Sequence, residues 1–291
     1  MSRSDPTVSA VLLAGGESRR MGRPKPFLRI GDRPVAARLL DRAARVASDL
    51  LLSVADADPF RRSLPGWGWE PDADAPGDRS GTARSVFRNG DARLRIVPDR
   101  RPGFGPLAGV EACAGAADGE RCLLVAADLP FASAPLFQAL LDELERWSGE
   151  GPGSEVKDRP SETRPGLRPR LVLPVIDGRC QPLCSVFERP AGAIAAACLD
   201  EDVRSVKAWM ERLAVREVDA ERLERLMASA PRETGVGQGT RRPGSPSAHG
   251  PARQLFDLDT PSDLRRARRW ARDEGATIAR TTPIDPGGEH A

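Results

Sequence analysis

Residues 12–28 read Leu-Leu-Ala-Gly-Gly-Glu-Ser-Arg-Arg-Met-Gly-Arg-Pro-Lys-Pro-Phe-Leu, and they continue the apolar run that opens at Val8. A short run that is apolar throughout and ends at Gly15-Gly16 reads as a buried parallel strand, Val8 to Ala14, feeding a glycine loop. Glycine has no Cβ, so backbone N–H groups in such a loop can approach a phosphate closely. Arg20 and Lys25 follow close behind. A guanidinium fork and a compact ammonium are the two side-chain forms that neutralise phosphate charge. The spacing is neither Gly-x-x-x-x-Gly-Lys-Ser/Thr nor Gly-x-Gly-x-x-Gly, so neither a P-loop nor a dinucleotide site is indicated.

Outward from this loop, strand and helix patterns alternate. Asp49 to Ala55, Leu94 to Pro98, Cys122 to Ala127 and Leu171 to Ile176 are further apolar strand candidates. Arg33 to Val46 carries Val35, Leu39, Leu40, Ala43 and Val46 at helical spacing, and Ala134 to Trp147 puts Leu136, Phe137, Leu140, Leu141 and Leu144 on one face. Ser205 to Leu213 reads as an amphipathic helix with Trp209 in the core. Near the C-terminus, alternating Phe256 and Leu258 predict a strand, and Thr260-Pro261 a helix start, with Asp263 as a helix N-terminal charge. The alternation predicts an α/β fold, a three-layer Rossmann-like sandwich with a mostly parallel central sheet.

The chain has 291 residues and is 40% hydrophobic, enough for one large domain with a substantial core. Three stretches, 71–91, 149–169 and 229–250, are rich in Gly, Pro, Ser, Asp and Arg and poor in apolar residues. They read as insertions in a single domain spanning 1–281, with 282–291 as a flexible tail. Basic residues, 44, nearly balance 42 acidic ones, and the net charge of +2 gives no argument for a nucleic-acid partner. No apolar run is long enough for a transmembrane helix, and the polar residues 1–7 lack a signal-peptide layout, so no membrane partner and a cytoplasmic location are expected. The cysteines Cys113, Cys122, Cys180, Cys184 and Cys198 read as buried free thiols, and no second pair completes a zinc site around Cys180 and Cys184. His249 and His290 sit in polar, Pro/Gly-rich surroundings, which argues against histidine-based catalysis.

Two aspartates fall just after apolar strands. Asp99 ends Ile-Val-Pro-Asp and is followed by Gly105-Pro106-Leu107-Ala108-Gly109; Asp128 stands in Ala-Ala-Asp-Leu-Pro. Ligands of open parallel sheets collect beyond the carboxyl ends of the strands, so both belong on the rim that carries Gly15. A carboxylate there, facing a triphosphate, is a natural magnesium ligand. Each is also well placed to cap the turn that follows it.

Leu13-Ala14-Gly15-Gly16-x-Ser18-x-Arg20-Met21-Gly22-x-x-Lys25 resembles the signature of nucleotidyltransferases with the glycosyltransferase-A-like fold. The Gly105–Gly109 segment and Asp128-Leu129-Pro130 narrow the resemblance to the molybdenum cofactor guanylyltransferases; the cytidylyltransferase relatives carry Asp-Gln-Pro at the second position. The resemblance implies nucleotide binding by Leu13, Ala14, Gly15, Gly16, Lys25, Asp56, Asp99, Gly109 and Asp128, with Arg20, Lys25 and Asp128 as catalytic residues. It implies Mg2+ as cofactor, held by Asp128, and acceptor contacts from Gln181, Pro182 and Asp259. The family motif Asn-x-Asn-Thr-Pro here reads Asp257-x-Asp259-Thr260-Pro261, which either adds a second metal-binding carboxylate at Asp257 or weakens contact with an anionic acceptor. A further departure is Pro24, where many relatives carry an acidic residue. The implied reaction transfers GMP from GTP to the terminal phosphate of molybdopterin or its molybdenum-loaded form, with molybdoenzyme chaperones as further partners. CTP or a sugar-phosphate acceptor is the nearest alternative, and a non-catalytic nucleotide-binding protein the more distant one.

Overall fold

The computed structural model describes residues 7–16, 22–73, 75, 86–149, 168–229 and 250–281, with side chains described through residue 272. Strands β1 (Val8–Leu13), β2 (Arg29–Ile30) and β3 (Arg33–Pro34) precede helix α1 (Val35–Ala43); β4 (Asp49–Val54), α2 (Asp58–Ser63), β5 (Glu70–Pro71), β6 (Val86–Asn89) and β7 (Ala92–Pro98) follow. Then come α3 (Pro106–Ala116), β8 (Arg121–Ala126), α4 (Ala134–Gly149), β9 (Arg170–Ile176), β10 (Arg179–Cys180), β11 (Cys184–Glu188), α5 (Ala191–Asp200) and α6 (Val206–Met210). The chain continues through β12 (Ala214–Asp219), α7 (Ala220–Ser229), α8 (Pro251–Gln254) and α9 (Pro261–Thr281).

The main sheet runs β10-β9-β11-β8-β1-β4-β7-β6-β5, with β12 also on β9. Its centre, β8-β1-β4-β7, is parallel throughout, as the apolar runs predict. Antiparallel β11 separates β8 from β9, so β9 and its parallel neighbour β12 point the same way as the centre. Side-chain alternation along each strand divides the core between the two faces. Ala10, Leu12, Leu50, Leu52, Leu94, Leu123, Val125 and Val172 pack on one face with Leu39, Leu40, Phe137 and Leu140 of α1 and α4. Val11, Leu51, Cys122, Leu124, Leu171 and Leu173 pack on the other with Leu107, Val110, Ala195 and Leu199 of α3 and α5. This is the expected three-layer sandwich.

Four expectations need correction. Leu255 to Leu258 is not a strand: it crosses the end of β8, and its Leu258 N–H donates to the Asp128 carbonyl (2.9 Å) instead of joining a ladder. The stretch 71–91 is strand at both ends, because Phe87 is buried and β6 pairs with β7 across the Asn89-Gly90 turn; residues 74 and 76–85 lie outside the described residues. Residues 150–167, 230–249 and 282–291, which hold most of the other expected insertions and the tail, also lie outside them. The helix expected from Arg33 begins at Val35, since Arg33-Pro34 pairs with β2. Cys180 is exposed on the short edge strand β10, whereas Cys113, Cys122, Cys184 and Cys198 are buried. Burial pushes the Cys122 and Cys184 thiols up to about 12, so neither is a nucleophile at neutral pH. Trp209 is fully buried, as expected, and its Nε1–H donates to the Ala191 carbonyl.

Candidate functional site

Because β8, β1, β4 and β7 are parallel neighbours, their C-terminal ends share one rim, and the residues after them stand side by side: Asp128, then Ala14-Gly15, then Asp56, then Asp99. The ladder continues one step past the strands. Ala127 N–H donates to the Leu13 carbonyl, Ala14 N–H to Ser53, and Asp99 N–H to Val54. Three interstrand spacings separate the two outer carboxylates, about 14 Å.

At the β7 end, Asp99 Oδ1 accepts a 2.6 Å hydrogen bond from the Ser53 hydroxyl, which fixes its rotamer. Gly15 is required beside it: a Cβ there would stand 2.8 Å from Asp99 Oδ2 and 3.2 Å from the Ala55 nitrogen. Gly105 opens α3 at φ 76° and ψ −165°, a conformation favouring glycine, and Pro106 occupies the first helical turn. Gly109, expected to contact nucleotide, lies inside α3 and is buried. A Cβ there would stand 2.5 Å from Ser53 Oγ and 2.6 Å from Leu13 Cδ2, so close helix–sheet packing explains this glycine. Asp56 is exposed, and its Oδ1 accepts from the Asp58 N–H two residues on, a local turn contact leading into α2.

At the β8 end, Lys25 reaches in from the short 3₁₀ turn Lys25–Phe27. Its Nζ lies 2.9 Å from Asp259 Oδ1 and 3.4 Å from Asp128 Oδ2. Burial pulls the Lys25 pKa down, but the Asp259 hydrogen bond and the charges of Asp128 and Asp259 outweigh it, and the net shift is upward. The ammonium is therefore charged across the physiological range. Asp257 is open to solvent on one side yet partly desolvated by its surroundings, and the Asp128 and Asp259 carboxylates add repulsion; its carboxyl is pushed up to about 6. Gln181 and Pro182 occupy the turn between β10 and β11, and the next carbonyl, Leu183, accepts from the Ala126 N–H, holding this turn beside Asp128. Arg20 lies outside the described residues. Gly16 has open space around it.

The rim thus brings together Gly15, Lys25, Asp99, Asp128, Asp257, Asp259 and the Gln181 turn. Sequence reading missed Ser53. The signal was a lone hydroxyl inside the apolar strand Leu50-Leu51-Leu52-Ser53-Val54, where a buried polar group needs a partner. It also missed that Asp259 pairs with Lys25, which only tertiary structure reveals.

Such a rim on such a sheet defines the glycosyltransferase-A-like fold of the nucleotidyltransferases. Residues 10–218 match the MobA-like NTP transferase domain, and the chain belongs to that family. Among curated relatives, a probable molybdenum cofactor guanylyltransferase of Pelotomaculum thermopropionicum is 29% identical over 137 residues, 47% of this chain and 53% of that protein. One from Bacillus licheniformis is 26% identical over 211 residues, 72% of this chain and 84% of that protein. The chain spans about half the length of the first of these relatives. Among solved structures, molybdopterin-guanine dinucleotide biosynthesis protein A from Archaeoglobus fulgidus superposes with a TM-score of 0.59 at 16% identity, covering 91% of this chain and 99% of that one. A 4-diphosphocytidyl-2C-methyl-D-erythritol synthase from Anaerococcus prevotii gives 0.52 at 14% identity, covering 92% and 96%. At these identities the two structures establish the shared fold.

Proposed function

We propose that this protein transfers GMP from GTP to the terminal phosphate of molybdopterin, or of its molybdenum-loaded form, and releases pyrophosphate. The observation that carries the reading is the polarity of the rim: a locked carboxylate, Asp99, at one end, and an ammonium, Lys25, beside Asp128 at the other. A nucleoside triphosphate lying across the rim would meet Asp99 with its guanosine and Lys25 with its phosphates. Guanine N1–H and N2–H₂, or the ribose hydroxyls, are donors for a carboxylate acceptor.

In the reaction, an oxygen of the acceptor phosphate attacks the α-phosphorus of GTP. The bond from that phosphorus to the bridging oxygen breaks, and the electron pair leaves with pyrophosphate. The attacking oxygen is already anionic, so no protein base is needed, and catalysis reduces to positioning and charge neutralisation. Lys25 would hold the phosphates, with Arg20 expected to assist at the leaving pyrophosphate, and the Gln181-Pro182 turn would lie on the acceptor side. Asp128 and Asp257 would hold magnesium, which supplies charge neutralisation on the nucleotide phosphates. Their chemistry fits: both offer hard oxygen donors, and the Asp257 carboxyl, raised first by desolvation and then by the Asp128 and Asp259 charges, stands where a cation would offset both. Among the described residues no group of three or more His, Cys, Asp or Glu side chains is arranged to hold a metal ion. Also among the described residues, no helix is long and apolar enough to cross a membrane.

The test is incubation with magnesium, molybdopterin and each nucleoside triphosphate in turn, reading pyrophosphate and product mass. GTP should give the guanine dinucleotide, with kcat/KM at least about tenfold above CTP, a difference near 1.4 kcal/mol. Equal turnover of GTP and CTP would overturn the guanylyl reading; pyrophosphate release with a sugar phosphate but not with molybdopterin would overturn the acceptor.

A further inference from the structure

Lys25 and Asp259 are 234 residues apart in sequence, yet they form a 2.9 Å ion pair at the β8 end of the rim. The same ammonium stands 3.4 Å from Asp128. Asp259 is not free to drift. The neighbouring Leu258 N–H is bonded to the Asp128 carbonyl, and the Asp259 and Thr260 N–H groups both donate to Asp263 Oδ2 at the head of α9. The backbone on each side of Asp259 is therefore pinned, and an aspartate has only two side-chain torsions with which to move its carboxylate.

We propose that Asp259 is a positioning residue: its carboxylate clamps the Lys25 ammonium against Asp128 in the nucleotide-free protein and yields it to an incoming polyphosphate. This rests on the reading of Lys25 as a phosphate-binding residue and goes beyond the acceptor contact expected of Asp259. A carboxylate differs here from an amide of the same shape in two ways. It pairs with the ammonium through full charge, so phosphate oxygens must displace it. Once displaced, it stays close to the phosphates and repels them. The clamp therefore holds Lys25 aligned at the cost of weaker nucleotide binding. Pairs of this exposure, 19% for Lys25 and 57% for Asp259, shift an equilibrium by roughly 1.5- to 5-fold.

The experiment is a double-mutant cycle on the nucleotide dissociation constant, read by calorimetry for the full chain, Asp259→Asn, Lys25→Met and the double variant. Thermal melts check that each is folded. Asp259→Asn should tighten GTP binding by about threefold or more, and the gain should be clearly smaller in the Lys25→Met background, where only the repulsion is relieved and no ammonium is left to release. A purely structural role would loosen binding, not tighten it. Unchanged or weaker binding in Asp259→Asn overturns the clamp, as does an equal gain in both backgrounds. Failure of the guanylyl reading appears separately: the parent protein would bind another triphosphate better than GTP, and the cycle run with that nucleotide tests the clamp alone. Should the parent bind no triphosphate, both fall.

Discussion

Ser53, Asp99 and Gly109 form a unit whose parts have different reasons for being what they are. Ser53 sits 2% exposed in β4, and its hydroxyl holds Asp99 at the rim. Gly109 leaves the room in α3 that this hydroxyl and Leu13 occupy. Gly109→Ala forces its methyl against both, and either the helix shifts or the Ser53–Asp99 bond breaks. The expected cost is about 1–3 kcal/mol from overpacking, read as a lower melting temperature, with weaker GTP binding alongside. A variant that melts with the parent would show that α3 relaxes freely. The sequence pattern Gly-Pro-Leu-Ala-Gly announced that this segment mattered, but not why: Gly105 serves backbone conformation and Gly109 serves packing, and one letter stands for both.

β1, β4 and β8 were legible because each is an apolar run of the kind a strand buried on both faces needs, whereas β7 alternates buried and half-buried residues and showed only its apolar end, Leu94 to Pro98. Their C-terminal rim was legible for the same reason, since parallel strands must end together, and it carried Gly15, Asp99 and Asp128 with it. Val86–Asn89 was hidden by its polar surroundings, although one buried side chain, Phe87, suffices to seat this strand on β7. Leu255 to Leu258 misled in the opposite sense: its alternation reflects a chain lying across a strand end, with Leu258 turned inward and Asp257 outward. The head of α9 starts at Thr260-Pro261, as its sequence predicts. Thr260 Oγ1 accepts from the Asp263 N–H, and Asp263 Oδ2 accepts from the Thr260 N–H at 2.8 Å, a reciprocal capping box. Asp263→Ala should cost about 0.5–2 kcal/mol, a fall in melting temperature of a few degrees. The Thr260 hydrogen bonds hold the Asp263 carboxyl below the usual range, so its contribution is present above the unfolded pKa and lost as pH falls through the folded one. The gap between variant and parent should be full at pH 7 and shrink below about pH 4. A gap constant with pH would assign the loss to side-chain packing.

On one face of the sheet, Glu143, a fully buried carboxylate of α4, ties three elements together. It pairs with Arg146 in its own helix, Arg216 of β12 and Arg222 of α7, so the last strand and the helix after it are anchored to the layer that covers the parallel centre. Glu143→Gln removes the charge but keeps the shape. Arg146 and Arg222 are 46% exposed and can return to water, while Arg216, at 13%, cannot. The expected loss is about 1–3 kcal/mol in chemical denaturation. No change would mean that the network is neutral overall, as some buried ion groups are. Glu143 faces away from the rim chemistry, and its role is to hold the frame in which Asp99 and Asp128 stand about three strand spacings apart. On the proposed function, Asp128 is where that frame would meet the reacting phosphates. The most direct test is pyrophosphate release by Asp128→Ala at saturating GTP and molybdopterin, with thermal melting as the control for folding. A fall of about a hundredfold or more, with the melt preserved, is the expected result. Release within about twofold of the parent, in a variant that folds as the parent does, would contradict it.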